Sequence, residues 1–247
     1  MEFGFGSGIL TGIRNDALAG TATPRRFGAL QEVSIEFTGD IKELFALQQF
    51  PIDTARGKTK IAGKAKLAEI KSSEYNDIFF GQTLATGSLK YAYNESVAAG
   101  TSAFSYTISN SGSTPLTDEG VFYVSGGNQL DTVTGAPGSG QYNWNPTTGV
   151  YGFATADAGS GFYVNYLYSV STGRNIAIGN PLMGTTPQFK VTLFQQYESN
   201  SIVLVLNKCV SNRLTFPTRI DDYMIQELDF SAFADSSGNV GSWNSTN

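Results

Sequence analysis

The chain has 247 residues, no histidine and a single cysteine, Cys209. Without histidine it lacks the commonest general base and metal ligand, and one cysteine excludes an intrachain disulfide, so the composition argues against most hydrolytic and zinc enzymes. A net charge of −5 argues against tight binding of nucleic acid, and no apolar run reaches the ~20 residues of a membrane span.

The abundance of glycine and aromatic residues predicts a mainly β chain of short strands and tight turns. Glycine occurs 28 times and aromatic residues make up 13% of the chain, whereas charged residues make up only 15%. This small share of charge indicates that part of the surface meets protein instead of water. The length fits one large β domain or two modest ones.

Residues 1–27 mix glycines, isolated apolar residues and a turn-prone TATP sequence. This pattern predicts an extended N-terminal arm that needs a partner surface to become ordered. The remainder, 28–247, is predicted to form the β domain.

A half-buried strand is predicted directly after the arm. Val33, Ile35 and Phe37 alternate with polar residues, as expected when one face of a strand packs and the other meets water. The connection that follows, 39–57, is too long for a hairpin turn. It is therefore predicted to be a loop with a functional role.

The next predicted strand places its cations at even-numbered positions and its apolar residues at odd-numbered ones. Because side chains alternate across a strand, we expect one basic row, with Glu32 and Glu36 of the preceding strand beside it. The row is either an ordinary solvated face or the lining of a channel or subunit contact. The residues of this predicted face are Glu32, Ser34, Glu36, Arg56, Lys58, Lys60, Lys64 and Lys66.

A short helix is predicted to begin at Ser72 and to end at Gly81, because a serine cap and early acidic residues precede a glycine stop. Short β-like runs follow, and an inserted β subdomain is predicted at about 95–180. Longer strands return in the last third, and a polar tail begins at about 235.

No catalytic, cofactor or metal site is predicted. The glycine-rich stretches lack the phosphate-loop spacing, and the adjacent Asp221 and Asp222 would point to opposite faces of a strand. Cys209 lies in an apolar run and is predicted to be a core residue instead of a nucleophile.

Several segments resemble the major tail tube protein of tailed bacteriophages. The resemblance covers nearly the whole chain and has no catalytic signature. It is carried by the sequences FGALQ, KELFALQQFP and ARGKTKIAGKAK, and later by GQYNWNPTTGVYGFATADAG, MGTTPQFKVTL and DDYMIQELDFSAFADSSGNV.

The resemblance implies a β-sandwich or barrel with a flanking helix, which forms hexameric rings that stack into a hollow tube for the genome. It implies a virion protein assembled in the bacterial cytoplasm, with copies of itself, a tail terminator, a tape measure protein and a baseplate as partners. Double-stranded DNA would pass through without specific binding. The ring-stacking loop would contain Asp40, Lys42, Glu43, Leu44, Phe45, Phe50 and Asp53.

Two alternatives remain open from the sequence. The Tyr, Trp and Asn residues of QYNWNPTTGVYGF suggest a carbohydrate-binding or adhesin module. A different tail component with a related β core, such as a terminator or baseplate hub, is the other. Nothing in the sequence separates a long flexible tail from a contractile one.

Overall fold

The structure is a computed structural model that describes residues 6–16, 22–47, 49–69, 71–98, 100–114, 116–218 and 220–246. The described chain is mainly β with one short helical segment, which confirms the predicted fold class. No helix in the described ranges has the length and apolar character needed to cross a bilayer.

Fifteen strands follow one another through the described ranges. They are β1 Ile9–Arg14, β2 Arg25–Arg26, β3 Leu30–Phe45, β4 Pro51–Leu67, β5 Leu84–Val97, β6 Phe104–Thr107, β7 Leu116–Tyr123, β8 Asp131–Thr132, β9 Gln141–Asn145, β10 Val150–Phe153, β11 Phe162–Ile176, β12 Phe189–Tyr197, β13 Asn200–Thr215, β14 Gln226–Ala232 and β15 Gly241–Thr246. Helix α1, Ser72–Tyr75, continues into a π-helical turn, Asn76–Phe80, and a 3-10 turn covers Thr155–Asp157.

The chain divides into two compact units. The first unit comprises Met1–Leu84 and Ile176–Asn247, and the second comprises Ala85–Asn175. The sequence placed an inserted subdomain at about 95–180, so its predicted start lies ten residues after that of the second unit and its predicted end five residues beyond.

In the first unit, seven strands form an antiparallel sheet in the order β2-β1-β12-β13-β14-β4-β3, and β15 pairs with β13. The two ends of the sheet order approach each other, since the Ser7 hydroxyl next to β1 donates a hydrogen bond of 2.6 Å to the carbonyl of Leu30 in β3. A core of large apolar side chains fills the enclosed side. Its buried members are Leu10, Phe27, Ala65, Leu67, Ile78, Phe189, Val191, Leu204, Leu206, Cys209, Leu228 and Phe230.

Two sequence predictions are confirmed within this unit. Cys209 is fully buried in the core, and burial raises the pKa of its thiol to about 12. The helical segment begins at Ser72 and ends at Phe80, and the predicted glycine stop, Gly81, caps it in a left-handed conformation with φ of 65°. Its N-cap is Lys71 instead of a serine, and the Glu74 carboxylate accepts a hydrogen bond from the Lys71 backbone.

The two predicted arms differ from the structure wherever it describes them. Strand β1 pairs along its length with β12, and Leu10 and Phe27 lie in the chain's own core. The predicted tail contains β15, which pairs with β13 from Gly241 to Thr246. The arm prediction took isolated apolar residues to need a partner surface, whereas here they pack within the chain. Residues 1–5 and 17–21 of the predicted arm lie outside the described ranges.

The predicted loop at 39–57 is instead the outer half of a long β-hairpin. Strands β3 and β4 stay paired from Leu30 opposite Leu67 to Phe45 opposite Pro51. Register shifts after Gly39 and after Leu44 interrupt the alternation of side chains. Because strand prediction relies on that alternation, the sequence pattern does not indicate the continuation.

The second unit contains a four-stranded sheet, β6-β10-β9-β8, and a three-stranded sheet, β5-β11-β7. Its core is separate from that of the first unit and rich in aromatic rings. The buried members are Val97, Ile108, Leu116, Val121, Leu130, Tyr142, Tyr151, Phe153, Phe162, Val164 and Tyr166.

Candidate assembly surface

The polar face of the β3–β4 pair carries three of the five cations that the sequence singled out, Lys60, Lys64 and Lys66. Glu32 lies opposite Lys66, and Ser34 lies opposite Lys64. Directly opposed residues of antiparallel strands share a face, so these side chains are neighbours. The Lys66 ammonium donates a hydrogen bond of 2.6 Å to Glu32, which raises the pKa of Lys66. The predicted contact between this row and Glu32 is therefore present.

Strands β14 and β13 extend this face with residues that the sequence analysis missed. Glu227 lies opposite Lys66, and Asp229 lies opposite Lys64. Arg213 of β13 approaches both carboxylates, at 3.9 Å from Glu227 and 3.8 Å from Asp229. The alternation of acidic and apolar residues in ELDF was the signal that could have identified them.

Cations and carboxylates balance on this surface, which we call the mixed-charge face. Four cations minus four carboxylates leave no net formal charge. Carboxylates next to the cations compete with phosphates for them, which disfavours tight phosphate binding. Its members are Glu32, Ser34, Glu36, Lys60, Lys64, Lys66, Arg213, Glu227 and Asp229.

The single basic row predicted from even numbering ends at a β-bulge. Between the pairs Gly39–Thr59 and Ile41–Arg56, β3 advances two residues and β4 advances three. Arg56 therefore lies opposite Ile41, and its side chain approaches within 3.5 Å of where a Gly39 side chain would begin. Lys58 lies within the bulge. The extra residue moves Arg56 to the opposite face from Lys60, so the predicted row is wrong for Arg56.

The hairpin carries a second notable surface at its far end. The predicted stacking residues, Asp40, Lys42, Glu43, Leu44, Phe45, Phe50 and Asp53, all lie on this hairpin and are exposed. Six large apolar side chains there are between 54% and 106% exposed. We call this set the apolar tip: Ile41, Leu44, Phe45, Leu47, Phe50 and Ile52.

The aromatic residues that suggested glycan binding belong to the core of the second unit. Tyr142 and Tyr151 are buried and both donate hydrogen bonds to the Asp118 carboxylate. Burial is the main cause that raises the pKa of each tyrosine. Trp144 packs on Tyr151 with ring centroids 4.7 Å apart. These residues therefore form no exposed stacking platform for a sugar.

Within the described parts of the chain, no group of three or more Asp, Glu or Cys residues is arranged to hold a metal ion. Comparison with models of known protein families gives no match, and neither does comparison with curated proteins. The mixed-charge face and the apolar tip of the first unit are therefore the candidate functional surfaces.

Proposed function

We propose that this chain is the structural subunit of a bacteriophage tail tube and has no enzymatic role. Copies would form rings, hexameric by the resemblance described above, and the rings would stack into a channel through which the genome passes into the host. The proposal places the protein in the virion tail, in contact with a terminator, a tape measure protein and a baseplate.

The exposed apolar tip is the observation that carries this proposal. With six side chains more than half exposed, the tip presents on the order of 800 Å² of surface, which is about one partner's share of a standard protein interface. These side chains lie on both faces of the hairpin, and soluble monomers rarely leave so many large apolar side chains uncovered in one place. A two-stranded hairpin is also only marginally stable in water by itself. Both features favour a molecule completed by association.

The mixed-charge face supports the same proposal in either of two positions. In the lumen, a face of zero net charge would let phosphates slide past without holding them. Between subunits, the same alternation of charges would pair with a neighbour's. Both positions require cations and carboxylates to remain interleaved.

Reversal of two charges tests the proposal. The double variant Lys64→Glu/Lys66→Glu changes surface positions but places carboxylates beside Glu32, Glu227 and Asp229 of the same chain, so circular dichroism first verifies that the fold persists. We expect the concentration needed for assembly to rise roughly 100-fold, because new like-charge contacts cost about 3 kcal/mol. Sedimentation velocity over a concentration series measures the change.

Lys90→Glu/Arg174→Glu provides the matched control, since both cations are exposed and lie in the second unit. It alters the net charge by the same amount and should assemble like the wild type. A wild-type protein that sediments as a single copy at every concentration would contradict the proposed function.

A further inference from the structure

An open apolar groove lies where β4 separates from β14. Its volume is about 510 Å³. Leu204 and Leu206 are buried and form its floor, whereas Phe37 and Trp243 are more than half exposed and form its walls. Ile61 completes the apolar lining. The groove therefore brings core side chains of the first unit to the surface.

Strand edges without a partner flank this groove. Strand β14 pairs with β4 only from Leu67 back to Ile61, although β4 continues to Pro51. Strand β15 pairs with β13 alone among the strands of the described chain. Unpaired backbone donors and acceptors next to an apolar floor are the features that an added strand recognises.

We propose that this groove receives the apolar tip of the β3–β4 hairpin from a second copy of the chain. The inference rests on the proposed function, because it names the contact through which copies would associate. The tip needs cover for about 800 Å² of apolar surface, and the groove is an apolar depression bordered by strand edges. The apolar tip and the groove that would receive it thus occur on the same chain.

A molecule cannot place its own tip in its own groove. Phe37 and Ile61 line the groove and also form the base of the hairpin. Leu47 at the tip lies ten residues beyond Phe37, which at about 3.3 Å per residue is roughly 30 Å away along paired, extended strands. The tip can therefore reach this groove only in another copy.

The contact joins different surfaces of two identical chains, so it is heterologous. When such a contact repeats, the assembly has an unoccupied apolar tip at one end and an unoccupied groove at the other. Each step would displace the next copy by about 30 Å along the hairpin. This is the arrangement that open-ended stacking requires.

A disulfide crosslink between separately made variants tests the docking. One protein carries Leu47→Cys and the other carries Trp243→Cys, and the mixture is treated with copper phenanthroline, which oxidises the two thiols. Native Cys209 is buried and present in both proteins. We expect a crosslinked dimer in at least tenfold greater yield than with Thr147→Cys, an exposed second-unit position, in place of Leu47→Cys. Equal yields would overturn the docking.

A second experiment separates the docking from the proposed function. Leu47→Asp/Phe50→Asp disrupts the apolar tip, and Phe37→Asp/Trp243→Asp disrupts the groove. All four positions are exposed. Neither variant alone should form long tubes. In their mixture, the intact tip of the groove variant can bind the intact groove of the tip variant, which should give single junctions. Long tubes from either variant alone would overturn the docking and leave the proposed function standing. A crosslink between the cysteine variants, together with a wild-type protein that forms no rings, would do the reverse.

Discussion

Glu95 shows how single carboxylates hold the second unit together. Its carboxylate accepts hydrogen bonds from Tyr166 at 2.5 Å, from Tyr106 at 2.8 Å, and from the backbone and hydroxyl of Ser109. Burial alone would raise the pKa of Glu95, but these hydrogen bonds outweigh it and lower the pKa below its ordinary value of 4.5. The native state therefore favours the ionised carboxylate.

Substitution Glu95→Gln should destabilise the second unit at neutral pH by about 1–3 kcal/mol, because charge-assisted hydrogen bonds are lost. The pKa is lower in the folded state than in the unfolded state. The Glu95 carboxylate therefore contributes fully to the stability of the folded state above the unfolded pKa. This contribution is lost as the pH falls through the folded pKa. Urea unfolding between pH 7 and pH ~3 measures both effects.

Glu119→Gln is the control for this prediction, since Glu119 is exposed on β7. It should leave stability within about 0.5 kcal/mol of the wild type. If the acid-induced loss of stability were as steep in Glu95→Gln as in the wild type, the role assigned to Glu95 would be wrong.

Among the elements, the packing of β4 against its antiparallel neighbour β14 depends on a glycine. Gly63 lies opposite Phe230, and a β-carbon at Gly63 would come within 2.1 Å of the Phe230 ring. Phe230 is buried in the core, where close packing resists movement of a ring. The close approach of ring and backbone therefore fixes how these two strands pack.

Gly63→Ala should reduce the free energy of unfolding by about 1–3 kcal/mol, as expected for overpacking of a core. Gly57→Ala adds the same methyl group to the same strand, where the nearest atom would be 3.3 Å away on the flexible Lys42 side chain. It should change stability by less than about 0.5 kcal/mol. Thermal denaturation of both variants distinguishes the sites, and equal melting temperatures would contradict this packing.

Local patterns predicted the elements whose side chains keep a regular period. The alternation around Val33 and Ile35 indicated a half-buried strand, and the serine and glycine at 72 and 81 bounded the helix. The bulge after Gly39 adds a residue that no local pattern announces. Because of this bulge, neither the continuation of the hairpin nor the face on which Arg56 lies could be predicted from the sequence.

The mixed-charge face could be predicted only in part. Opposition of Glu32 and Lys66 follows from two strands close in sequence. Glu227 and Asp229 join the same face through pairing across more than 160 residues of chain. Such long-range pairing depends on the packing of the whole sheet, which periodicity does not encode.

At the scale of the whole molecule, the first unit exposes apolar surface at two separate places, the apolar tip and the groove. Both are on a chain whose charged residues make up only 15% of the sequence. A soluble monomer would be expected to cover such surfaces or to interrupt them with charge. Both surfaces therefore support the proposal that copies of the chain complete the isolated subunit.

Electron microscopy of the purified wild-type protein at rising concentration tests this central claim most directly. We expect ring-shaped particles, sixfold in projection, that give way to hollow rods as the concentration increases. A field of compact single copies at the highest concentration, with no rings or rods, would contradict the account.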